Sequence, residues 1–184
     1  MNYENTVTVS GVLHFTSRKK NSEYFPFSVK HENLWTDGTT RKDFLDVRAF
    51  NPELQEKLNN MAENDNIQVK GVLKSAKGSG DLYLSADEIN KPESNTLENN
   101  VKLSGFVHVI KAQNEGETGT GKYIRFAVRQ ENSGVKEFLI IRVYDEDLRK
   151  ILNSKNDGDS VEVSGTLRSS RGSGVNYVRC SELK

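Results

Sequence analysis

The sequence predicts an all-β protein built as two small barrels in tandem, five strands in each. Three observations lead there. The chain repeats itself: "LKSAKGSGDLYL" (73–84) returns as "LRSSRGSGVNYV" (167–178), 94 residues later. Apolar and polar residues alternate over short runs, the period of half-buried strands. Each repeat holds one short helical stretch, between its third and fourth strands.

Taken in order, the first strand is "VTVSGVL" (7–13), matched by "VKLSGFV" (101–107). Val7, Val9 and Leu13 share one parity and so one face. The second strand is "YFPFSV" (24–29), with Phe25, Phe27 and Val29 inward. Its match, "YIRFAV" (123–128), lies 99 residues on. The second copy therefore gains five residues in its first hairpin loop and loses five in the next connection, changes that loops absorb. A long connection, "KHENLWTDGTTRKD" (30–43), leads to the third strand, "FLDVRAF" (44–50), matched by "FLIIRVY" (138–144). Leu45, Val47 and Ala49 point inward. The helix is "PELQEKL" (52–58) or "EDLRKIL" (146–152), and Pro52 suits a first helical turn. The fourth strand is "IQVKGVL" (67–73) or "VEVSGTL" (161–167), and the fifth carries Leu82, Leu84 and Ala86.

Five strands with a helix between the third and fourth is the order of an OB barrel. Gly11, Gly71, Gly105 and Gly165 fall inside strands, where glycine marks the bends that close small barrels. The expected domains are 1–90 and 101–184. The polar, Pro-containing stretch 91–100 is the expected linker.

The 26 basic and 26 acidic residues cancel, so bulk charge gives a nucleic-acid reading no help. No apolar run reaches the ~20 residues of a membrane span. The N-terminus lacks a signal-peptide core. With one cysteine, Cys180, the expectation is a reducing, cytoplasmic setting.

The face opposite the core carries the functional reading. Period two turns Phe44, Asp46, Arg48 and Phe50 outward in the first copy, and Phe138, Ile140, Arg142 and Tyr144 in the second. Strand two adds Tyr24 and Lys30, or Tyr123, Arg125 and Arg129, and His14 and His108 share the outward parity. Rings interleaved with cations suit single-stranded nucleic acid: bases stack on the rings and cations meet phosphates. The tips Gly78-Ser79-Gly80 and Gly172-Ser173-Gly174 serve the fourth-to-fifth turn. The flanking Lys74, Lys77, Arg168 and Arg171 are not required by turn geometry and are expected phosphate contacts. Trp35, the only tryptophan, sits in the connection before strand three, where it can offer a stacking plate. Copy two has no counterpart, so the copies are expected to differ in affinity or role.

Each half resembles the bacterial and phage single-stranded DNA-binding proteins of the SSB type. The resemblance covers nearly the whole chain, through "NTVTVSGVL" and "NNVKLSGFV", "FSVKHE", "DFLDVRAF", the helix, and "NDNIQVKGVLKS" or "GDSVEVSGTLRS". It implies stacking by Trp35, Phe44, Phe50, Phe138 and Tyr144, and phosphate contacts by Arg48, Lys74, Arg142 and Arg168. The family's further aromatic in the fourth-to-fifth hairpin has no match. Typical members carry one barrel and assemble as four; two barrels here imply a homodimer for four, or a monomer that works with two. The sequence ends at "CSELK", right after its last strand, so recruitment of replication and repair enzymes through the family's acidic tail is not expected, and a phage or mobile-element version would suit that pattern.

"GETGTGK" (116–122) meets the first seven positions of a P-loop, but Tyr123 stands where Ser or Thr should bind Mg²⁺ and open a helix. No His or Cys cluster has zinc spacing, and no paired acid–base arrangement emerges. Neither metal nor cofactor is expected, and no catalysis. The expectation is a sequence-tolerant protein that coats single-stranded DNA in replication, recombination or repair. A protein-interaction scaffold and a single-stranded RNA-binding module remain open at this level.

Overall fold

The computed structural model describes residues 2–16, 23–34, 37–109, 115–119 and 121–184. The first repeat forms β1 (Asn5–His14), β2 (Phe25–Leu34), β3 (Thr40–Ala49), α1 (Pro52–Asn59), β4 (Asn66–Ser75) and β5 (Leu82–Asn90). β1 pairs antiparallel with both β2 and β4, and β2 with β3. β4 pairs with β5, and a parallel contact between β3 and β5 closes the barrel. The second repeat gives β6 (Asn99–His108), β7 (Glu115–Thr118), β8 (Gly121–Asn132), β9 (Val135–Val143), α2 (Glu146–Asn153), β10 (Ser160–Ser169) and β11 (Asn176–Leu183). It closes the same way, with β9 and β11 parallel. The architecture is two OB barrels.

Alternation builds both cores. Val7, Val9, Leu13, Phe25, Phe27, Val29, Leu45, Val47 and Ala49 are all buried, as are Ile67, Val69 and Leu73. Phe27 and Phe126 hold equivalent central places, and burying such a side chain contributes about 1.5–3 kcal/mol. The helices close the barrel ends with Leu58 and Leu152. Asn51 caps α1 at the amide of Glu53, and Asp145 caps α2 at the amides of Asp147 and Leu148. Bulges open β4 before Gly71 and β10 before Gly165. A Cβ at either glycine would lie 2.0 or 2.2 Å from the carbonyl oxygen of Ser85 or Arg179, so no side chain fits there. Cys180 is buried, and burial pushes its thiol up to about 12.

The barrels join along β1 and β6. These strands pair antiparallel with Val7 opposite Val101, its own equivalent. The Ser10 amide donates to the Glu98 carbonyl, and the Ser104 amide to that of Glu4. Such self-matching contacts are those of a two-fold dimer interface, here within one chain.

Three sequence expectations change. The Gly/Thr stretch read as a loop becomes β7, paired with β8 from Glu115 opposite Ile124 to Thr118 opposite Gly121. The connection before β3 is short, because β2 and β3 stay paired out to Leu34 and Thr40. β6 starts at Asn99, inside the stretch expected to link the barrels. Among the described residues no helix is long and apolar enough to cross a membrane.

Candidate nucleic-acid interface

Strand three places its rings as its alternation dictates. On either side of buried Leu45, Val47 and Ala49, Phe44 is 43% exposed and Phe50 is 40% exposed. Phe138 and Tyr144 are half-buried at the equivalent places. Trp35 lies outside the described residues.

Each barrel gathers its rings around one arginine. Arg48 lies over the rings of Tyr83 at 4.0 Å and Tyr24 at 4.8 Å. Phe50 completes the group, 5.3 Å from Tyr24 and 6.2 Å from Tyr83 between ring centres. In the second barrel Arg142 lies over Tyr177 at 4.0 Å and Tyr123 at 4.8 Å. Tyr144 stands 5.2 Å from Tyr123. Both guanidinium groups are thus oriented by stacking, which leaves them little rotamer freedom to lose on binding. Tyr83 and Tyr177 were not among the expected site residues. The signal was there: they are equivalent, and period two turns them away from Leu82 and Leu84.

A second pair of rings sits at the start of each β3-type strand. Phe44 meets His14 edge-on at 5.1 Å, and Phe138 meets His108 at 4.9 Å. A carboxylate holds each histidine: Glu63 at 2.6 Å from His14 Nδ1, Asp157 at 3.3 Å from His108 Nδ1. Glu63 is held below the usual carboxylate range by the Phe15 amide first and His14 second. Asp157 is lowered chiefly by the Val109 amide.

The cations differ between the copies. Lys30 lies opposite Phe44 in the β2–β3 ladder, and Arg129 lies opposite Phe138 in the β8–β9 ladder. Arg125 faces Arg142 across β8–β9, and Arg179 flanks Arg142 from β11. Three arginines therefore form a row across three neighbouring strands. The same row in barrel one reads Pro26, Arg48, Ser85. Like charges set directly opposite destabilise a sheet, and a bound anion relieves that cost. Arg179 also lies over the Tyr144 ring at 4.5 Å. Sequence reasoning did not single it out, because its row forms only when β11 pairs parallel with β9.

Barrel two also carries β7, whose Gly116 lies against Tyr123. A Cβ there would sit 2.4 Å from the ring, so glycine lets the strand pass beneath it. Burial works to raise the Tyr144 phenol. Hydrogen bonds with Thr118, Arg142 and Tyr177 outweigh it and hold Tyr144 below the ordinary tyrosine value.

Lys74, Lys77 and Arg171 are exposed, as phosphate contacts must be. Arg168 is not: it is 6% exposed, and its Nε donates to Asp43 Oδ2 at 2.8 Å. This corrects the expectation of a phosphate contact there. A fully buried aspartate on the core parity of β3 needs a cation, and Arg168 supplies one from the other barrel, with Arg41 of β3 itself 3.5 Å away. Among the described residues no cluster of His, Cys, Asp and Glu could hold a metal ion.

No protein-family model matches the chain, and no curated protein matches it by sequence. Solved structures do. The wild-type single-stranded DNA binding protein from Thermus aquaticus superposes with a TM-score of 0.77 at 18% identity, covering 100% of this chain and 93% of that one. A deletion and substitution variant of the same protein gives 0.72 at 18% identity, over 99% and 94%. Both share the two-barrel fold.

Proposed function

We propose that the chain is a non-enzymatic, sequence-tolerant single-stranded DNA-binding protein of the SSB type. The observation that carries this is the repeated outward face of β3 and β9, where rings surround an oriented arginine and the rings at the strand ends are exposed in the first barrel and half-buried in the second. A duplex hides its base faces and would leave such rings unused, whereas an unpaired strand offers a base to each. Phe44, Phe50, Phe138, Tyr144, Tyr24 and Tyr123 supply stacking, with Trp35 beside them in sequence. Arg48, Arg142, Lys30, Arg125, Arg129, Lys74, Lys77 and Arg171 supply positive charge. The fold shared with the Thermus aquaticus protein supports the reading, since that protein is described as binding single-stranded DNA.

The role that follows is coating DNA strands opened in replication, recombination or repair, in the cytoplasm. Two chains together would present four barrels. The test is anisotropy of a labelled oligo-dT, titrated at two salt concentrations beside duplex and matched RNA, with a mass measurement in solution. The expected result is tight, salt-weakened binding of oligo-dT and much weaker binding of duplex. Indifference to every nucleic acid would leave a scaffold as the function. A preference for the RNA oligomer would replace the DNA reading.

A further inference from the structure

Each hairpin that carries an exposed tip cation docks at its base on the other barrel. The β10–β11 hairpin of barrel two lies along β3 of barrel one. At one arm, Asn176 Nδ2 donates to the Asp46 carbonyl at 3.0 Å, and the Asp46 amide donates to Asn176 Oδ1 at 3.1 Å. At the other arm, the Ser169 amide and hydroxyl both donate to Asp43 Oδ1, at 3.2 and 3.1 Å. Arg41 Nη2 reaches back to the Ser169 carbonyl at 2.7 Å. Residues 41–46 of barrel one are thus bracketed by the second barrel's hairpin, and Phe44 stands between the anchor points. Arg171 is two residues beyond Ser169, so its Cα lies within about 8 Å of that anchor.

The arrangement recurs in mirror form. Ser75, at the base of the first barrel's hairpin, donates from its amide and hydroxyl to Glu137 Oε2 at 2.7 and 2.6 Å. Glu137 immediately precedes Phe138, so the tip cation Lys77 is carried toward the second barrel's ring.

From these contacts we infer that the DNA-binding sites are composite: each barrel's basic hairpin tip serves the ring that opens strand three of the other barrel. Arg171 works with Phe44, and Lys77 with Phe138. A DNA strand stacked on Phe44 then passes from barrel one to barrel two at that point. The hairpin continues to Ser170, whose hydroxyl accepts from Arg142 at 2.7 Å, so the path leads into the arginine row of barrel two. The inference rests on the single-stranded DNA reading and adds the path by which the strand crosses from one barrel to the other.

Double-mutant cycles on oligo-dT affinity decide it. Residues that grip the same nucleotides couple, and residues at separate sites add. The loss caused by R171A should shrink at least about threefold when Phe44→Ala is already present and stay unchanged beside Phe138→Ala. K77A should show the reverse pattern. All four positions lie outside the buried cores, and thermal melts of each variant would report any loss of fold. Coupling of R171A to Phe138 instead of Phe44, or additivity with both, overturns the composite site while DNA binding stands. Failure of the unaltered protein to bind oligo-dT removes the functional reading itself.

Discussion

Barrels one and two share their core almost position for position, yet their outward faces carry different charge. At the five matched positions 26/125, 30/129, 46/140, 48/142 and 85/179, barrel one has Pro, Lys, Asp, Arg and Ser, and barrel two has Arg, Arg, Ile, Arg and Arg. Lys30 and Arg48 against Asp46 leave +1 in the first; four arginines give +4 in the second. Barrel one in turn exposes its rings more fully, at Phe44 and Phe50. The fold tolerates this divergence because none of these side chains fills the barrel. Under the proposed function, the first face would favour stacking and the second phosphate, and a strand crossing both would meet each in turn.

The junctions differ as well, and the largest expected effect tests that difference. Asp43 is fully buried with Arg168, whereas its equivalent Glu137 is half-buried and meets Ser75. Removing one partner of a buried ion pair strands the other charge, so Asp43→Ala should lower stability by about 3–5 kcal/mol. Glu137→Ala loses hydrogen bonds where water can substitute and should cost about 1–2 kcal/mol. Denaturant unfolding measures both, and equal losses would show the junctions to be equivalent.

Next come the rings. Phe44→Ala and Phe138→Ala should each weaken oligo-dT binding by about 1–3 kcal/mol, read by anisotropy. The more exposed Phe44 should show the greater loss. Unfolding of either barrel in these variants would mean the rings are structural.

Salt dependence separates the faces more finely. On single strands the slope of log K against log salt changes by about 0.7 for each phosphate neutralised. Replacing Arg125 and Arg142 together should reduce the slope by about 1.4, and Arg48→Ala by about 0.7. An equal change per arginine is expected even if the affinities differ. A barrel-two pair that moves the slope no more than Arg48 alone would leave one of its two arginines idle.

The core, the strand order and the outward rings were legible in the sequence because period two and an internal repeat both report on them. What escaped is long-range or local to one copy. Asp43 shares the inward parity of Leu45, and a carboxylate there demands partners; Arg41 and Asn33 lie nearby in its own barrel, but the buried cation nearest to it, Arg168, is 125 residues away in the other barrel. Arg168 consequently looked like one more loop cation. Arg179 gained meaning only through the parallel contact of β11 with β9. β7 reads as turn chemistry, rich in Gly and Thr, and becomes a strand because β8 offers it an open edge beside Tyr123.

The smallest effect concerns that added strand. Tyr144 has its phenol lowered by Thr118, Arg142 and Tyr177 against the pull of burial, whereas Tyr83 is raised, first by burial. Barrel one has Phe50 in the place of Tyr144 and so has no counterpart to titrate. In a spectrophotometric titration Tyr144 should ionise ahead of Tyr83, and Tyr144→Phe should delete that early step. The sign for stability follows: a phenol lowered by folding favours the native state above the ordinary tyrosine value, and that contribution disappears as pH falls through the lowered one. Tyr177, raised first by burial and then by Tyr144, opposes it at higher pH. Thr118→Val should move the early step upward without touching oligo-dT binding by barrel one. If the step stays put, β7 does not tune Tyr144.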